Sequence, residues 1–163
     1  MKLEERAFRR GAKKHTKEVL DQLSELIDRT PPTDEAGTLI DRQELRDGVT
    51  EIVDFNLHLA YLEANRKISI DPADTEAMFG TLVTMLLLCD YRNWRASAED
   101  HAVMIFRAAV VSQRTLARME AFKAKEALQA WGAISSIYFR VMRSTGREVE
   151  LMTAVQRYSG TQL

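Results

Sequence analysis

A chain of 163 residues, 45% apolar and 29% charged, suits one folded domain and excludes a disordered one. A net charge of −1 argues against a uniformly basic nucleic-acid binder. The single cysteine, Cys89, rules out an internal disulfide and a thiolate zinc site, and a reducing, cytoplasmic setting is the simplest fit.

With 7 Gly and 3 Pro among abundant Ala, Leu, Glu, Arg and Lys, the composition favours long helices. The first is predicted over residues 2–29, with Leu3, Ala7, Val19, Leu20, Leu23, Leu26 and Ile27 at spacings of three and four. Its front third contains Gly11 and few large apolar residues, and is expected to be a frayed or separate piece. The basic N-terminus has no apolar run behind it, so no signal peptide is expected. Thr30-Pro31-Pro32 ends the helix, because a residue before proline is pushed out of the α region.

Asp41 reads as an N-cap with Glu44 three residues on, opening a second helix from about Arg42 to Arg66. Ile68-Ser69-Ile70 connects it to a third, which Asp71 caps and Pro72 begins. This third helix, about 72–91, contains the uncharged run Ala77 to Cys89. Thirteen residues fall short of the roughly 20 that a bilayer span needs, so the run reads as the central helix of a bundle. Tyr91 to Ala96 is expected to be a loop, and Ser97 with Asp100 to cap the next helix.

From Ala98 to Trp131 no proline or glycine interrupts the pattern, and length alone favours a break near Glu120. The cluster Ala130, Gly132, Ala133, Ser135 and Ser136 offers a small-residue face for close helix contact. Gly146 terminates this helix, and Arg147 to Tyr158 forms a last one before a loose tail, 159–163. The expected fold is all-α: a single domain, 1–163, of six to seven helices around the central one.

Charge is segregated along the chain. Residues 1–17 balance at +5 and residues 18–54 at −8. Arg6, Arg9, Arg10, Lys13, Lys14 and Lys17 form a basic arm, read as solvated and possible but not favoured as a nucleic-acid contact. It lacks the wide apolar face of an interfacial membrane helix, so no membrane partner is expected. Neutralisation between the two segments, within the fold or across a dimer, is the favoured reading.

The candidate metal site is a stripe on the second helix. Asp47, Glu51, Asp54 and His58 lie within about 60° of one another at 100° per residue. Carboxylates at that spacing suit Mg²⁺ or Mn²⁺, and His58 adds a nitrogen ligand. The competing reading is an exposed polar helix face, and a metal would need further ligands, for which Glu25 and Asp28 are available. Glu25-x-x-Asp28, Glu51-x-x-Asp54 and Ala64-Asn65-Arg66-Lys67-Ile68 together resemble the MazG type of all-α nucleotide pyrophosphohydrolase. That family holds Mg²⁺ against a nucleoside triphosphate with Glu-x-x-Glu and Glu-x-x-Asp pairs on neighbouring helices. Here the doubled glutamates are absent, Asp28 stands for Glu, and Pro31-Pro32 intervenes. Separately, Arg95-x5-His101 at a helix start resembles the active-site motif of HEPN ribonucleases, with Ala96 where that family tends to place a polar residue.

No Glu-x-x-His, Walker loop or Gly-x-Gly-x-x-Gly occurs, and Cys89 in an apolar run reads as a structural thiol. Both enzymatic resemblances therefore stay subordinate to a non-catalytic reading with no cofactor. The chain is expected to be a helical protein-interaction module of accessory, immunity or mobile-element type. It is expected to bind a protein partner or itself, as a homodimer through Ile52–Leu62 or Gly132–Ser136.

Overall fold

The computed structural model describes residues 3–95 and 97–162, with the side chains of 13–15, 161 and 162 outside the description. Six α-helices and one 3₁₀ turn follow in order: α1 Leu3–Arg29, α2 Arg42–Ala64, α3 Pro72–Leu88, the turn Tyr91–Arg95, α4 Ala98–Ala121, α5 Lys125–Ser144 and α6 Glu148–Gln162. The protein is an all-α bundle. No helix among the described residues is long and apolar enough to cross a membrane.

The caps act as their residue types require. Asp41 accepts from the Glu44 N–H at 3.1 Å, Asp71 from the Ala73 N–H at 3.0 Å, and Ser97 from the Asp100 N–H at 3.2 Å. Each satisfies one of the donors a helix start leaves open, which contributes about 1 kcal/mol. Gly146 stands at φ +72° just past the Thr145 cap, the left-handed position that glycine adopts without steric cost.

Several boundaries differ from expectation for local reasons. α1 is one continuous helix through Gly11, because its first turns dock on α2: Phe8 meets Tyr61 edge-on, with ring centroids 5.8 Å apart. The Pro31–Ile40 segment is an ordered turn. The Asp34 side chain accepts from the Thr38 N–H at 2.9 Å, and the Ile40 N–H donates to the Pro32 carbonyl at 2.9 Å. α2 stops at Ala64, since Asn65 caps it and Arg66 turns left-handed at φ +57°.

α3 stops at Leu88, short of Tyr91. The Asp90 carboxylate accepts from the Arg92 N–H at 3.0 Å and turns the chain, and the segment read as a loop winds into 3₁₀ geometry with Trp94 fully buried. The break after α4 falls at Phe122–Lys123–Ala124, with Lys123 left-handed at φ +53°. α6 runs on through Gln162, past the expected end at Tyr158.

α1 and α2 pack side by side, α5 covers the other side of α2, and α4 lies against both α3 and α6. α3 packs on α1, α4, α5 and the 3₁₀ turn. Met78, Leu82, Met85, Leu86 and Leu88 are its buried side, with Cys89 buried just past its end, while Gly80 and Leu87 reach the surface. α2 and α5 come close at Gly48, where an added Cβ would sit 3.2 Å from Ile134 Cδ1 and Cγ1. Gly132, expected to serve a close contact, is exposed with open space around it.

Helices of the same chain cover the Ile52–Leu62 stretch in part: Ile52, Val53, Phe55, Leu59 and Tyr61 are buried, while Leu57, Ala60 and Leu62 are half-buried.

Candidate functional site

The acidic stripe of α2 meets the N-terminal end of α1. Arg9, read from sequence as part of a solvated arm, is drawn down onto it, with its side chain 25% exposed. Its guanidinium lies 3.5 Å from an Asp54 oxygen and 3.2 Å from Glu5 Oε1. Glu5 Oε1 in turn stands 3.3 Å from His58 Nδ1. The four side chains form one chain of alternating partners, Asp54, Arg9, Glu5 and His58. Burial by itself would raise the Glu5 carboxyl, but the His58 hydrogen bond and the Arg9 charge outweigh it and hold Glu5 below its ordinary value. One ion pair, Arg9 with Asp54, thus joins the basic segment to the acidic one across the α1–α2 contact.

Asp47 and Glu51 lie further up the same face. Asp47 accepts from Gln43 Nε2 at 2.9 Å. Glu51 borders two adjoining hollows between α2 and α5, of about 290 and 270 Å³, and Glu126 of α5 borders both. The stripe therefore faces a groove, with a cation from α1 already set against its Asp54 end. Glu25 and Asp28 do not join it. Asp28 is bonded to Arg46, and Glu25 lies 4.0 Å from Arg29 on its own helix. Among the described residues no group of three or more His, Cys, Asp or Glu is arranged to hold a metal ion.

Of the remaining basic arm, Arg6, Arg10 and Lys17 are exposed, and the Lys13 and Lys14 side chains lie outside the described residues. Glu5 and the docking of Arg9 were missed by pattern reading. The available signals were the i, i+4 spacing of Glu5 and Arg9 and the neighbouring Phe8, which mark a helix turn with a partner to cover it.

Arg95 and His101 have separate surroundings. Arg95 is exposed, 5.4 Å over the Tyr91 ring and 3.5 Å from Glu35. His101 is buried beneath Trp94, with ring centroids 5.5 Å apart. A pair that shares one substrate needs both side chains on one open surface, and here one is open and the other is enclosed. Cys89 is buried beside α5, and burial pushes its thiol up to about 12, against a small opposing pull from the Arg140 charge. At neutral pH it is a protonated, apolar core side chain.

A hollow of another character lies where α1, α2 and α3 meet. It measures about 180 Å³, and none of its lining residues is charged. Val19, Val53, Leu57, Ala60 and Phe79 give it apolar walls, and Thr16, Asn56 and Thr75 add polar groups without charge. A neighbouring hollow continues it past Ile70 and Pro72, where Glu63 and Glu76 bring charge to the lining. Concave apolar surface with a few uncharged polar groups suits an apolar side chain of a partner.

No protein-family model matches the chain, and neither the curated proteins nor the solved structures contain a significant match.

Proposed function

We propose that this chain is a non-catalytic helical interaction module that associates with a second copy of itself and acts by binding a protein partner. The observation that supports this reading is the uncharged hollow of about 180 Å³ between α1, α2 and α3. In a chain with 29% charged residues, charge is absent from its whole lining. Water gains little from such a surface, and covering it with apolar groups contributes roughly 25 cal/mol per Å². On this reading the interaction surface is the α1–α2–α3 junction, which takes in Val53, Asn56, Leu57 and Ala60 of the Ile52–Leu62 stretch. A buried, protonated Cys89 is compatible with a reducing cytoplasmic setting.

The experiment is light scattering at tens of micromolar on the wild-type chain and on Ala60→Arg. Ala60 is half-buried at the rim of the hollow, so a guanidinium there blocks association and can still reach water. A dimer that Ala60→Arg converts to monomer supports the proposal. A wild-type monomer overturns self-association, and a dimer that persists in Ala60→Arg overturns this surface.

A further inference from the structure

A hollow of about 340 Å³ opens between α3 and α4, on a different face from the α1–α2–α3 junction. Met78, Val111 and Ala117 give it an apolar lining. Its charged residues are two arginines and one carboxylate. Asp74 Oδ2 takes Arg118 NH2 at 2.9 Å, and Asp74 Oδ1 lies 4.0 Å from Arg114 NH1. One carboxylate thus faces two guanidiniums, and the pocket keeps one net positive charge. The Arg118 side chain is only 22% exposed, so much of its hydration has been given up, whereas Arg114 extends into solvent. Each guanidinium carries five N–H donors in a planar fork that matches a carboxylate or phosphate group, and Asp74 uses a fraction of them. Buried Thr115 also lines the pocket.

We infer that this pocket binds a small amphiphilic anion, a carboxylate or phosphate group carried on a compact apolar body. The anionic head lies across Arg114 and Arg118, where the surplus charge is, and the apolar body lies against Ala77 and Val111. Asp74 holds the two arginines in place and competes with the ligand for them. The inference does not depend on self-association.

Isothermal titration of the full chain in low-salt buffer tests it, with phenyl phosphate, benzoate, inorganic phosphate and benzyl alcohol as probes. Saturable binding of phenyl phosphate or benzoate is expected, with inorganic phosphate weaker and benzyl alcohol silent. The stronger of the two aromatic anions tells which head group the fork prefers. Arg118→Gln and the exposed Arg114→Gln should each weaken binding by about tenfold. Asp74→Asn should tighten it, because the internal competitor loses its charge. No saturable binding of either anion overturns the inference, as do equal binding of benzyl alcohol or unchanged affinity in both arginine variants.

Discussion

The indole N–H of Trp94 donates a 2.7 Å hydrogen bond to the carbonyl oxygen of Leu88, and neither residue reaches solvent. Leu88 is the last residue of α3, where backbone carbonyls have lost their helical partners. The 3₁₀ turn therefore closes the end of the helix with a side chain from its own interior. Arg147, at the start of α6, donates to the Trp94 carbonyl and also holds Glu150 at 3.1 Å, so the same turn is tied to the C-terminal helix. Trp94→Phe keeps an aromatic ring but leaves the Leu88 carbonyl buried without its partner. It should destabilise the fold by about 2–4 kcal/mol in urea unfolding, from the orphaned acceptor and the vacated volume together. A loss well under 1 kcal/mol would show that water reaches this carbonyl.

Cys89 should resist iodoacetamide at pH 8 in the folded protein and react at the rate of a free thiol in denaturant. Burial raises its thiol from an ordinary 9.0 to about 12, and burial likewise raises the Tyr138 phenol from 10.0 to about 12. Both folded-state values lie above the unfolded ones, so the fold favours the protonated forms. Their contribution to stability is complete below pH 9 and is lost as pH rises toward 12. Alkaline unfolding should accordingly begin in that window, followed by phenolate absorbance and circular dichroism together. Rapid native labelling at pH 8 would contradict the enclosed placement of Cys89.

The Glu5 carboxyl has the opposite sign. His58 and Arg9 hold it below its ordinary 4.5, so the folded state favours the charged form. That contribution is present above the ordinary value and is lost as pH falls through the lowered one. Glu5→Gln should destabilise the protein at neutral pH and flatten the acid limb of its stability profile below pH 4.5. An unchanged acid limb would show that the Asp54–Arg9–Glu5–His58 contact does not persist in solution.

Arg9 also bears on metal binding. Because its guanidinium already stands 3.5 Å from Asp54, millimolar Mg²⁺ or Mn²⁺ should leave the thermal midpoint of the wild-type chain unchanged. An upward shift in the wild type that Asp54→Ala abolishes would restore a divalent cation to the α2 stripe.

Backbone geometry sets three further expectations. Lys123 is left-handed at φ +53° where the chain turns from α4 to α5, with the Ala124 N–H closing on the Met119 carbonyl at 2.8 Å. Lys123→Gly should raise stability by about 1 kcal/mol, since only glycine adopts this conformation without a Cβ penalty. Gly132→Ala, in open space on α5, should gain about 0.5–1 kcal/mol from helix propensity. Gly48→Ala gains the same propensity but sets a methyl 3.2 Å from Ile134, so it should be the less favourable of the two by chemical denaturation.

Much of this fold was legible along the chain because helix formation is local. Asp41, Asp71 and Ser97 cap where their side chains predict, the left-handed Gly146 follows the end of α5, and hydrophobic spacing marks the helices between them. Composition and the caps were enough to determine an all-α protein. What the periodicity of a single helix does not contain is which neighbour covers each face. Only tertiary packing put Arg9 against Asp54, withdrew Ile52 and Leu59 into the core, enclosed His101 under Trp94 while leaving Arg95 outside, and brought α2 close to α5 at Gly48. The Arg9–Asp54 and Gly48–Ile134 approaches join residues far apart in sequence. An acidic stripe has the same spacing whether it faces water, a metal or an arginine from another helix. Its electrostatic environment is decided by that third element, and hence by the fold.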